Sequence, residues 1–273
     1  MSTPAARSLL FVPGDRPERI DKARACAADA VVVDLEDAVA AERKSLAREA
    51  LAATLSRQRP LLVRVNGPGT DALIADAEVC RRPGIAGVLL PKAEHPEDID
   101  RMAELGIGAP VLPLIETARG FRNAEAIAAA RGVSRLVFGT LDFQLDLGIG
   151  GDEADELLYF RSQLVLVSRL AGLVPPIDGV TPALDDDQRL RADIARARRL
   201  GFGGKLCIHP RQVAAVNEGF GVSAAEREWA RRVLSAVAAA GGGAVAVDGR
   251  MVDAPVIERA RRVLAQSESD RDR

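Results

Sequence analysis

A short apolar run that stops at a polar group recurs eight times along this chain: SLLFVPG, VVVDLED, LLVRVN, GVLLPK, VLPLIE, LVFGTLD, LVPPIDG and KLCIHP. Continuous rather than alternating runs of Val, Leu and Ile mark parallel strands that helices cover on both faces. Helical patterns fill the intervals at 17–28, 40–56, 97–105, 121–130, 153–171, 187–200 and 224–240. The first starts just after Asp15 with proline at its first position, and the last carries a capping box, Ser223 with Glu226. Eight strands alternating with helices predict a (β/α)8 TIM barrel over residues 1–240. In that fold the carboxyl ends of the strands share one mouth, which would gather Arg64, Lys92, Glu116, Asp142, Asp178 and His209.

The pattern changes at Gly241, Gly242 and Gly243, a flexible joint. AVAVDGRMVD then reads as a hairpin around Asp248-Gly249, followed by a helix over 255–265. This block, 241–265, is too small to fold alone and must pack on a barrel, either its own or a neighbour's. Residues 266–273, QSESDRDR, are polar enough to be a disordered tail.

Charge excludes whole classes of partner. With 37 basic against 39 acidic residues the net charge of -2 leaves no footprint for nucleic acid or an anionic membrane. No apolar stretch approaches the roughly 20 residues that span a bilayer, and MSTPAARS lacks a signal-peptide core, so a cytoplasmic address is expected. Cys26, Cys80 and Cys207 suit neither a disulfide framework nor a thiolate zinc site. Arginine outnumbers lysine 33 to 4, so a lone Arg says little, whereas Lys22, Lys44, Lys92 and Lys205 stand out.

Glu116 ends the fifth run and Asp142 follows the sixth. Neighbouring strands lie about 4.8 Å apart, so the two carboxylates could share a cation, and two oxygens with waters suit Mg²⁺ better than zinc. The alternative is that they are helix caps or ion-pair partners in the loops, which the spacing alone favours. Glu36 and Asp37 add acidity at the same rim and could hold metal-bound water, whereas Asp34 falls inside the second run. Arg64 either grips a substrate carboxylate with two parallel donors or pairs with an acidic neighbour. His209 is either a satisfied core histidine or a base.

RSLLFVPGDRPERIDKA, DLEDAV, VRVNG, LPKAE, LIETARG, FGTLDFQLDLG, GFGGKLCIHPRQ and RMVDAPVIERA, in this order, resemble the citrate lyase beta subunit family. That family stands among the HpcH/HpaI aldolases and the malyl-CoA and citramalyl-CoA lyases. The resemblance implies a barrel enzyme in which Mg²⁺ is held by Glu116 and Asp142, with Glu36 and Asp37 around its waters. It implies that Arg64 grips the 2-oxo acid, that Phe11, Arg16 and Lys22 meet coenzyme A, and that Leu141, Ile208 and His209 line the pocket. Asp253 matches an acid/base carried on the lid of a neighbouring subunit, which implies a homotrimer or hexamer. The expected reaction is cleavage or formation of a 3-hydroxyacyl-CoA, such as citramalyl-CoA or malyl-CoA, with acetyl-CoA and a 2-oxo acid as the other side. Three alternatives stay open: a citrate lyase subunit whose substrate rides on an acyl carrier protein, a metal-dependent aldolase of free hydroxy-keto acids, and a non-catalytic barrel.

Overall fold

The computed structural model describes residues 6–151, 155–240 and 245–271, which form two compact units, Met1–Asn217 and Glu218–Arg273. In the first unit every apolar run is a strand: β1 Ser8–Pro13, β2 Ala30–Asp34, β3 Leu61–Arg64, β4 Ile85–Leu90, β5 Val111–Ile115, β6 Val137–Phe138, β7 Ile177–Asp178 and β8 Gly204–Cys207. They pair in sequence order, all parallel, and β8 returns to β1 to close the barrel. The helices that follow them are α1 Pro17–Ala25, α2 Lys44–Thr54, α3 Asp71–Cys80, α4 Pro96–Glu104, α5 Ala118–Arg122, α6 Ala124–Ala129, α7 Thr140–Leu147, α8 Leu158–Leu170, α9 Asp187–Leu200 and α10 Pro210–Phe220. None of the described helices is long and apolar enough to cross a membrane.

One buried cluster draws Leu9, Val32, Leu62, Leu89, Leu112, Leu114, Val137, Ile177 and Leu206 from all eight strands, which only the barrel interior allows. Burying each such side chain contributes roughly 1.5–3 kcal/mol, and trimming one, as in Leu89→Ala, should cost about 2–5 kcal/mol. The amino-terminal end of the barrel is closed by Arg135, which donates to the carbonyls of Ala6 and Pro175 at 2.6 Å each. Cys80 and Cys207 are buried core residues whose thiols burial pushes up to about 12, and Cys26 is half-buried.

Asp178 does not join the mouth. Its neighbour Ile177 points into the barrel, so alternation turns Asp178 outward, where it accepts from Arg161 Nε of α8 at 2.9 Å beside Lys205 Nζ at 3.7 Å.

The second unit joins the end of α10 to α11 Ala224–Ala239, the antiparallel hairpin β9 Val245–Val247 and β10 Arg250–Val252, and α12 Ala254–Arg271. Asp248 and Gly249 take positive φ of 52° and 72°, the turn that matches the twist of a two-residue hairpin. The Gly241–Gly243 joint lies outside the described residues. The expected boundary at 240 moves back to Asn217, because α11 supplies the partner that the small C-terminal block needs: Ala230 and Val233 bury against Val252 and Ala260. Of the expected disordered tail, 266–271 instead continue α12, while 272–273 lie outside the described residues.

Candidate active site

The first ion pair of the mouth follows from strand register. Asp34 ends β2, Arg64 ends β3, and the parallel ladder sets them opposite one another. Arg64 donates through Nε to Asp34 Oδ1 at 2.8 Å and through Nη2 to Oδ2 at 2.5 Å, a two-pronged contact that a lysine cannot copy. The fork is thus already engaged, and Nη1 is the remaining edge. It lies 3.0 Å from Glu36 Oε2, without hydrogen-bond alignment, and 3.4 Å from Asp37 Oδ2. Phe11 places its ring 5.2 Å from the guanidinium, a cation over an aromatic face.

Asp34 does more than hold Arg64. It accepts the N–H groups of Glu36 at 2.9 Å and Ala38 at 3.2 Å, folding the turn that presents Glu36. Behind that turn Lys44 Nζ donates to the carbonyls of Leu35 (2.9 Å) and Glu36 (3.1 Å) and to the side chain of Asn66, which Asp76 anchors in turn. Glu36 is buried while Asp37 is exposed. Burial pushes the Glu36 carboxyl above its ordinary range, against the pull of Arg64.

Glu116 follows β5 and is 2% exposed. Its Oε1 accepts the backbone N–H of Lys92 at 2.8 Å. The other oxygen lies against Gly139, where a Cβ would come within 2.3 Å of Oε2, so no larger residue fits after β6. Asp142 stands in the first turn of α7. Burial, and then the charge of Asp142, push the Glu116 carboxyl up to about 8. The pair is therefore two neighbouring carboxylates, one of them buried. A cleft of about 630 Å³ opens beside Glu36, Asp37 and Lys92 toward Asn66 and His95.

The other expected residues are placed less uniformly. Phe11 packs partly against the barrel core rather than offering an open aromatic surface. Arg16 and Lys22 are exposed at the start and end of α1. Leu141, on α7, and Ile208, just past β8, are 50% and 42% exposed, and His209 is half-buried with Nδ1 accepting from Arg211 N at 3.2 Å. In the second unit Asp253 is exposed and its Oδ1 accepts from Val256 N at 3.2 Å, capping α12. Two contributors were not singled out from sequence as parts of the site. Asp34 read as a strand interior, and Gly139 carried a signal only as a glycine directly after an apolar run.

The family model for the HpcH/HpaI aldolase/citrate lyase family matches residues 7–210, nearly the whole barrel unit. The chain belongs to this family. It is accordingly a lyase-family enzyme. It is 41% identical to a citrate lyase subunit beta-like protein of Deinococcus radiodurans, covering 97% of this chain and 99% of the relative. It is 37% identical to a (3S)-malyl-CoA thioesterase of Cereibacter sphaeroides, covering 96% and 95%. The crystal structure of CitE from Mycobacterium tuberculosis in complex with magnesium, acetoacetate and coenzyme A superposes with a TM-score of 0.86 at 36% identity, covering 97% of this chain and 99% of that one.

Proposed function

We propose that this enzyme cleaves or forms the C–C bond of a 3-hydroxyacyl-CoA of the malyl-CoA or citramalyl-CoA kind, giving acetyl-CoA and a 2-oxo acid, with Mg²⁺ as cofactor. The observation that carries this is Glu116, a buried carboxylate at the barrel mouth with Oε1 held by the Lys92 N–H and Asp142 as the neighbouring carboxylate. The donor set fits the metal: Glu116 and Asp142 offer hard carboxylate oxygens, and two such ligands suffice for Mg²⁺, which keeps several waters. The CitE complex with magnesium and coenzyme A supports the same cofactor and thioester class.

Glu116 and Asp142 would hold the cation, which when bound supplies Lewis-acid polarisation of the acid half of the substrate. Glu36 and Asp37 would accept from its waters. Arg64 Nη1, kept in place by the Asp34 fork, would face the oxygen on which charge develops. Leu141, Ile208 and His209 would line the pocket, and Phe11, Arg16 and Lys22 would lie on the coenzyme A side. Asp253 from a second copy of the chain, in a homotrimer or hexamer, would exchange the proton of the acetyl methyl.

The test is a screen of purified protein with acetyl-CoA and glyoxylate, pyruvate or oxaloacetate, with and without Mg²⁺. Mg²⁺-dependent 3-hydroxyacyl-CoA is expected with at least one acid. The (3S)-malyl-CoA thioesterase relative favours hydrolysis as a second activity. Free thiol released from malyl-CoA without 2-oxo acid would replace C–C cleavage by that reaction, and indifference to Mg²⁺ in every assay would remove the metal.

A further inference from the structure

We infer that Lys92 is a positioning residue, whose left-handed backbone turns an N–H onto Glu116 while its ammonium reaches Glu36; the inference rests on the reaction proposed above. Among the described residues two non-glycines have positive φ, Asp248 and Lys92. The hairpin turn accounts for Asp248. Lys92, at φ 49°, follows β4 at the barrel mouth, where nothing in a simple strand-to-helix loop demands that conformation. A side chain held there is strained and persists only where its surroundings over-determine it.

The surroundings do so. Beside Lys92, the Ala93 carbonyl sits so close to Gly120 of α5 that a Cβ on Gly120 would lie 2.4 Å from it. The next carbonyl, of Glu94, accepts from Asn123 Nδ2 at 2.7 Å, and Thr117 Oγ1 donates to Glu94 Oε1 at 2.9 Å. Residues 117–123 follow directly on Glu116, so the segment after β4 is fastened to the segment after β5. The 2.8 Å bond from Lys92 N to Glu116 Oε1 is the inward result, and it leaves Oε2 as the oxygen turned toward Gly139.

Glycine would take the same backbone without strain. The lysine side chain must therefore supply what glycine lacks, in a chain that uses Arg at 33 of its 37 basic positions. Lys92 Nζ lies 3.4 Å from Glu36 Oε1 and is half-exposed at the mouth. One residue thus sets the spacing between the carboxylate at the end of β5 and the carboxylate facing Arg64.

Lys92→Gly, Lys92→Met and Lys92→Arg test this by kcat, KM for the 2-oxo acid, and melting of the metal-free protein. Lys92→Gly should melt unchanged or up to about 2–4 °C higher as strain is relieved, while kcat falls about tenfold with KM within about threefold. Lys92→Met should lose kcat similarly, and Lys92→Arg should recover to within about threefold of wild type. A merely structural lysine would lose melting temperature and activity together. A lower melting temperature in Lys92→Gly, or kcat within about twofold in both Gly and Met variants, overturns the inference. Absence of wild-type turnover with every thioester would instead defeat the proposed reaction, and the melting arm would still decide the backbone strain.

Discussion

Glu116 is where protonation should report on the site. Its carboxyl, ordinarily 4.5, is pushed up to about 8 by burial and by Asp142. A carboxyl raised in the folded chain binds its proton more tightly there than when unfolded. Its contribution to stability is therefore full below about pH 4.5 and is lost as pH rises through about 8. Metal-free protein should melt at progressively lower temperature from about pH 5 to about pH 8, and Glu116→Gln should flatten that part of the profile. Calorimetric scans in chelator check this; an unchanged slope in the variant would show that another group is responsible. Arg64→Lys should cost at least about tenfold in kcat/KM, about 1.4 kcal/mol, because one ammonium cannot replace the fork on Asp34. Near-normal kinetics in the lysine variant would reduce Arg64 to a simple charge. Arg64 and Glu116 stand out in the sequence because a polar residue at the end of a buried parallel strand comes out at the barrel mouth, whereas Glu36 and Asp142 lie two and four residues beyond β2 and β6. Asp178 also stops a strand, yet it faces α8, because side-chain alternation overrides the rule on a two-residue strand. The Asp34 fork depends on register and the Lys92 backbone on packing, and no pattern of residue types encodes either.

At the level of elements, the C-terminal hairpin and α12 give Asp253 a local duty besides the proposed chemical one. Its carboxylate caps α12. Asn caps a helix about as well as Asp, whereas Ala costs about 1 kcal/mol. Asp253→Asn should thus keep the wild-type melting temperature while lowering kcat by about 10²-fold or more, the usual share of a general acid or base. Full activity in Asp253→Asn would leave the residue as a cap alone. The helix ends show what sequence conveys unevenly. The stretch over 187–200 coincides with α9, where Asp186 caps the start and Gly201 takes the left-handed conformation at the end. The helical patterns read from the sequence do not include α7, which starts at Thr140 straight after the sixth run, and the approach of Glu116 that demands Gly139 comes from another strand.

For the whole molecule, the proposed assembly makes a test that neither unit can pass alone. If Asp253 serves the mouth of a neighbouring chain, inactive Asp253→Asn and inactive Glu116→Gln proteins should regain partial turnover after subunit exchange. Native mass spectrometry verifies the exchange; mixed oligomers without activity would confine Asp253 to its own chain. The barrel wall itself is uneven. β1 and β2 pair over five positions, whereas β6 and β7 share one, Val137 with Ile177, and Asp142 follows β6 on α7. Outside that seam Phe121, Phe143, Phe160 and Tyr159 interlock, edge to face except for the tilted pair Phe121 and Tyr159, with Phe143 also against Phe138 of β6. A cask with one thin stave holds its shape through the hoop laid across it. The chain has placed four of its nine Phe, Tyr and Trp residues, Phe121, Phe143, Tyr159 and Phe160, in that hoop, where the wall has least backbone to hold it closed.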